Sequence, residues 1–159
     1  MLKHVRNTFL LAICLIAGIA QAESEVIAKD LADSQIHLHF ALSEGNSAES
    51  LLNNGDLNSA AAAYSQATEE ARKAQTSVES ALIKIQALRE VKSESFDENL
   101  DTAAARIMVA NTDLLQAIDI LEAKSVSPES EQPALRNILS VITTELINGA
   151  LYLNLSDQI

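Results

Sequence analysis

The apolar residues of this chain recur at alternating steps of three and four. The longest such run lies between Gly55 and Val91. There Ala60, Tyr64, Ala67, Ala71, Ala74, Val78, Ala81, Ile85 and Leu88 stand 4, 3, 4, 3, 4, 3, 4 and 3 residues apart. A step averaging about 3.5 residues keeps one side of an α-helix turned toward a neighbouring helix along its length. No glycine or proline follows Gly55 in this stretch, so the spacing predicts an uninterrupted helix from near Leu57 to Val91. Leu100, Ala103, Ile107, Ala110, Leu114, Ala117 and Leu121 repeat the pattern in a helix predicted over 97–123. Leu135, Leu139, Ile142, Leu146, Gly149 and Leu153 repeat it over 133–155, where Ile138, Val141, Ile147, Ala150 and Leu151 widen the apolar side. That last helix is the greasiest after the N-terminus, and its composition suits a central or partner-facing place. No period-two alternation, the mark of a half-buried strand, competes.

Polar and helix-ending residues punctuate these runs. Glu23–Leu42 forms a first helical segment, with Val26, Ile27, Leu31, Leu38, Ala41 and Leu42 on its apolar side. Ser43–Ser47 contains Gly45 and Asn46, types that end helices. Ala48, Leu51 and Leu52 then resume a helical spacing, which favours continuation or a mild kink. Asn53-Asn54-Gly55-Asp56 is the clearest turn: Asn and Gly tolerate positive φ, and Asp56 can cap the helix after it. Lys92–Ser95 is a polar break, with Phe96 placed to plug the core at that turn. Glu94, Asp97, Glu98 and Asp101 form an acidic cluster that suits a helix N-terminus. Ser125–Gln132 is a loop containing Pro128, and Pro133 fits a first helical turn. The expected fold is all-α, an up-down antiparallel four-helix bundle. The alanines of the second helix predict close approach to the first. Its later Val78, Ile85 and Leu88 predict a fuller core, while Glu69, Glu70, Arg72, Lys73, Glu79, Lys84, Arg89 and Glu90 form an outer, solvated face of mixed sign.

The stretch LLNNGDLNSAAAAYSQA resembles the middle of a tetratricopeptide repeat. Ala48 and Leu51 fall at the small and large positions of the repeat's first helix, and Gly55-Asp56 at its turn. Ala60, Tyr64 and Ala67 match the small, aromatic, small spacing of its second helix. Glu44 stands at the tryptophan-type position and Arg72 at the closing proline. No second copy follows at the repeat's offset. The resemblance over 48–67 therefore implies one closely packed helical hairpin, not a peptide-binding solenoid.

The N-terminus carries a different signal. Lys3, His4 and Arg6 precede the apolar run Thr8–Ala20, and Ala20-Gln21-Ala22 precedes Glu23. A basic segment, an apolar core of about 7–15 residues and a small-x-small site describe a secretory signal peptide, with Ala20 and Ala22 at the peptidase's two small positions and Glu23 the first mature residue. A retained anchor would need roughly 20 apolar residues. Cleavage at Cys14 as a lipoprotein would place Ile13 where Gly or Ala is wanted, and would leave apolar Leu15–Ala20 at the new terminus. The expected organisation is a cleaved segment, 1–22, and one helical domain, 23–159, in the periplasm.

Removing 1–22 takes away Lys3 and Arg6 and no acid, so the formal charge moves from −11 to −13. It also takes the single cysteine, Cys14, so no disulfide can staple the domain. The acid excess argues against nucleic acid and anionic membrane surfaces as partners. Aromatic residues are 3% of the chain with no Trp, too few for stacked recognition of bases or sugars. Asp30, Asp33 and His37 share a helical stripe that could hold a divalent cation; the plainer reading is an acidic face with an Asp–His pair. No nucleophile stands at motif spacing from a base, no haem motif occurs, and the expected cofactor is none. The chain reads as a non-enzymatic module that contacts another protein or itself. The alternative is a bundle that binds a small ligand or metal.

Overall fold

The computed structural model describes residues 22–91, 98–131 and 135–156. All structural statements below refer to these residues. They form four helices and no strand: α1 (Ala22–Asn53), α2 (Leu57–Val91), α3 (Glu98–Val126) and α4 (Leu135–Ser156). The expected signal segment, the polar break with Phe96, and Pro133 lie outside the described residues.

The turn between α1 and α2 follows the residues that predict it. Gly55 takes φ 79°, in the left-handed region where a side chain is strained. Gly55 N–H donates to Leu52 O at 2.9 Å and Asp56 N–H to Leu51 O at 3.0 Å, so the last carbonyls of α1 are paired. Asp56 Oδ1 then accepts the Ser59 N–H at 3.1 Å and caps α2. Ser59, through its side chain first and its backbone N–H after that, holds the Asp56 carboxyl below its ordinary pKa.

α1 runs without a break through Gly45. The reason is packing. A Cβ on Gly45 would stand 3.2 Å from Leu135 Cδ2, so the glycine marks where the start of α4 crosses α1. Ser47 does not cap a new helix; its hydroxyl donates back to Ser43 O at 3.1 Å.

Cross-helix partners fix the directions of the helices. Asp30 and His37 of α1 meet Lys84 and Glu70 of α2. Arg72 and Arg89 of α2 meet Glu122 and Asp101 of α3. Numbers rise on one helix as they fall on the other, so each of these pairs runs antiparallel. Arg106 with Glu145, and Gly149 against Ile107 and Ala103, set α4 antiparallel to α3. α1 and α2 share the most extensive contact, and α1 meets α4 over a much smaller one.

One contiguous core runs through all four helices. The nine seam residues of α2 are all buried, the seven from Ala60 to Ala81 with no exposed surface at all. The seams of α3 and α4 are buried as well. Two expectations are corrected. Val26, expected on the apolar side of α1, is 49% exposed. It precedes Ile27 and so points about 100° away from that buried residue. Val141 and Leu151 of α4 are exposed too, because α1 reaches α4 along only a short stretch and no other helix covers that side.

Gly149 reports the distance between α3 and α4. A Cβ there would lie 2.6 Å from Ile107 Cγ1, a fully buried side chain stiff at χ1. Gly149→Ala gains about 1 kcal/mol of helix propensity but overpacks this crossing, for a net loss of roughly 1–2 kcal/mol. Equilibrium urea unfolding measures it. A neutral or stabilised variant would mean that α3 and α4 lie farther apart.

Candidate functional site

Three features beyond plain core packing bear on function. The first is the polar belt between α1 and α2. His37 Nδ1 lies 2.7 Å from Glu70 Oε2, and Lys73 Nζ donates to Glu70 Oε1 at 2.6 Å. Lys73 first, and His37 after it, hold the Glu70 carboxyl below its ordinary pKa, and Glu70 raises that of Lys73. Asp30 Oδ2 accepts from Lys84 Nζ at 2.6 Å. The Asp30, Asp33 and His37 stripe is therefore drawn in two directions: Asp30 to Lys84 and His37 to Glu70. A cation at the stripe would have to displace both contacts. Among the described residues no three His, Cys, Asp or Glu side chains gather in a metal-holding group. His39 turns elsewhere, its ring 6.1 Å from that of Phe40.

The outer face of α2 is solvated as expected, with Glu69, Arg72, Lys73, Glu79, Arg89 and Glu90 exposed, and it also carries cross-helix pairs. Glu70, Arg72, Lys84 and Arg89 all reach a neighbouring helix. Of the acidic cluster, Asp101 pairs with Arg89 at 2.6 Å, Glu98 opens α3, and Glu94 and Asp97 lie outside the described residues. Ala20 lies outside them as well, while Ala22 and Glu23 open α1.

The second feature is buried polarity. Gln35 has no exposed surface, and neither its Nε2 nor its Oε1 has a hydrogen-bond partner in the structure. The Tyr64 hydroxyl is likewise buried and unpartnered, with the Lys124 ammonium 5.2 Å from its ring centroid. Burial, and after it Glu49, raise the pKa of this phenol. Gln35 was legible in the sequence: Leu31, Gln35, Leu38 and Leu42 step by 4, 3 and 4, which puts the amide in the seam. An apolar count passes over it.

The third feature is the outer face of α4. By length and composition α4 is apolar enough to cross a membrane, yet only 33% of its most apolar window is buried in the bundle. Val141, Thr144, Asn148, Leu151 and Leu155 step by 3, 4, 3 and 4 on the side away from the seam. Val141, Leu151 and Leu155 are 48%, 38% and 45% exposed. The 22 residues of α4 hold two charges, Arg136 and Glu145. Glu145 turns aside to Arg106 of α3, 3.2 Å away. The stripe itself is uncharged. α3 carries a surface depression lined by Glu98, Asp101, Thr102, Ala105, Arg106 and Val109. One helix supplies that lining, and no nucleophile and base converge there.

Compared with known protein families, characterised proteins and solved structures, the chain matches none.

The unpaired Gln35 amide carries a direct test. Gln35→Leu keeps the volume and removes two polar atoms from an apolar seam, so stability should rise by about 1–3 kcal/mol. Thermal melting followed by circular dichroism reads the change. A lower Tm would mean that the amide has a partner, such as a buried water or ligand.

Proposed function

We propose that this protein is an exported, periplasmic helical-bundle module that works by contact with protein rather than by catalysis. The observation that carries this reading is the outer stripe of α4, where Val141, Leu151 and Leu155 stand exposed on a side free of charge. Exposed apolar surface on a helix whose other side is core marks a place of contact. The finer architecture belongs to the same proposal: an up-down bundle whose first hairpin follows the tetratricopeptide plan, behind a signal peptide cleaved after Ala22. The basic start, apolar run and Ala20-Gln21-Ala22 support export. Of the positions that carry the resemblance, Ala48, Ala60, Tyr64 and Ala67 are fully buried and Leu51 half-buried, which supports a tight hairpin as the frame.

A second reading, a bundle that takes a small polar ligand in its core, draws on the unpaired Gln35 amide. It is the weaker of the two, because a buried water answers the same need.

The test uses the full-length protein expressed in a Gram-negative host, with a photo-crosslinking amino acid in place of Leu151 or, as control, of exposed Gln86 on α2. The recovered protein should be periplasmic and begin at Glu23, and illumination should give a discrete adduct from position 151 and none from 86. Cytoplasmic retention of the intact chain would defeat the export reading. Absence of an adduct at 151 would defeat contact through α4.

A further inference from the structure

We infer that Asn54 is a site of spontaneous covalent modification: it loses its side-chain nitrogen as ammonia to give aspartate and isoaspartate, and the turn between α1 and α2 loosens as the product accumulates. The reaction is internal to the chain and needs no partner.

The chain holds two Asn-Gly pairs, Asn54-Gly55 and Asn148-Gly149. Glycine favours the reaction because it puts no side chain between its own backbone nitrogen and the asparagine carbonyl carbon. The Gly55 nitrogen, once deprotonated, attacks Asn54 Cγ. The new N–Cγ bond closes a succinimide ring, the Cγ–Nδ2 bond breaks, and Nδ2 leaves with a proton as ammonia. Water then opens the ring. Addition at Cγ restores the original backbone and gives aspartate. Addition at the Asn54 backbone carbonyl carbon leaves the chain running through Cγ and gives isoaspartate. One water enters and one ammonia leaves, with no oxidant or reductant.

The fold treats the two pairs differently. Asn54 and Gly55 are both exposed at the turn. A Cβ built on Gly55 meets nothing within 4 Å, so the ring has room to close. Among the described residues no hydrogen bond holds the Asn54 side chain. One restraint remains: the Gly55 N–H donates to Leu52 O at 2.9 Å. A solvent-facing bond at a helix end opens at small cost. Asn148-Gly149 lies inside α4, where the helical ladder engages the Gly149 N–H. Gly149 is also buried, and a Cβ there would stand 2.6 Å from Ile107 Cγ1. Ring closure at Asn148 would need α4 to unwind and part from α3. Asn54 therefore reacts while Asn148 is protected.

The consequence follows from the bonds of the turn. Isoaspartate inserts one methylene between the Cα of residue 54 and the Gly55 nitrogen. The donors Gly55 N–H and Asp56 N–H lie after that insertion, and their acceptors, Leu52 O and Leu51 O, lie before it. Neither bond keeps its register. Aspartate preserves the chain length but sets a carboxylate just past the last carbonyls of α1, where the helix dipole disfavours it. Either product weakens the junction between the two helices that share the most extensive contact.

The test incubates the purified protein at physiological temperature and mildly alkaline pH, in buffer and in urea. Peptide mass spectrometry follows both asparagines, with fragmentation that tells isoaspartate from aspartate. In the folded protein Asn54 should convert at least about tenfold faster than Asn148, while in urea the two should convert at comparable rates. The aged protein should melt a few degrees below the fresh one. Asn54→Gln, whose longer side chain closes a less favourable ring, should neither convert at that position nor lose Tm on ageing. An Asn54 as strongly protected by folding as Asn148 would overturn the site. Unchanged melting with isoaspartate present at residue 54, or the same fall in Tm for Asn54→Gln, would overturn the loosening of the turn.

Discussion

The close approach of α1 and α2 is the constraint on which the rest of the molecule depends. Ala60, Ala67, Ala71, Ala74 and Ala81 have no exposed surface, and Ala63 has little. Side chains this small let two backbones come near, and they rule out a wide core between the two helices. The larger buried groups come mainly from elsewhere: Leu100, Ile107, Leu114 and Leu121 of α3, and Leu139, Ile142, Leu146 and Leu153 of α4. α2 is thus a two-sided spine, with α1 and α3 each packed along it. α4 reaches α1 only over a short stretch, the crossing that Gly45 and Leu135 mark.

That arrangement explains why the last helix is unlike the others. Its inner seam completes the core, yet among the described residues no fifth element covers its outer side. The uncharged outer stripe with exposed Val141, Leu151 and Leu155 is the surface on which the proposed contact rests. The polar belt between α1 and α2 works differently. His37, Glu70 and Lys73, with Asp30 and Lys84, stand partly exposed, where ion pairs contribute up to about 1 kcal/mol each. They set the register of α1 on α2 more than they hold the two together.

Much of this fold was legible from spacing alone. The seams of α2, α3 and α4 are buried where the three-and-four steps put them, and Asn53-Asn54-Gly55-Asp56 turns as its residues demand. Spacing places side chains on faces of single helices; it does not say which faces find a neighbour. Hence Val141 and Leu151, expected to widen the apolar side of α4, are exposed, and Lys84 and Arg89 of the solvated face prove to have partners on neighbouring helices. The resumed spacing of Ala48, Leu51 and Leu52 favours a helix continuing through Gly45, as α1 does, but why a glycine stands there depends on Leu135, 90 residues later. The candidate stripe of Asp30, Asp33 and His37 shares one helix face, and the partners that draw its members apart, Lys84 and Glu70, lie on α2, beyond the reach of a one-helix argument.

The most direct measurement is the equilibrium unfolding of Ala71→Leu. Ala71 is fully buried in the middle of the alanine seam, three residues above the Thr68 hydroxyl that bonds back to Tyr64 O. Close packing of α1 on α2 predicts a loss of about 1–3 kcal/mol with helix content unchanged, since leucine forms helix nearly as well as alanine. A variant as stable as the parent, or more so, would contradict that packing and the spine built on it.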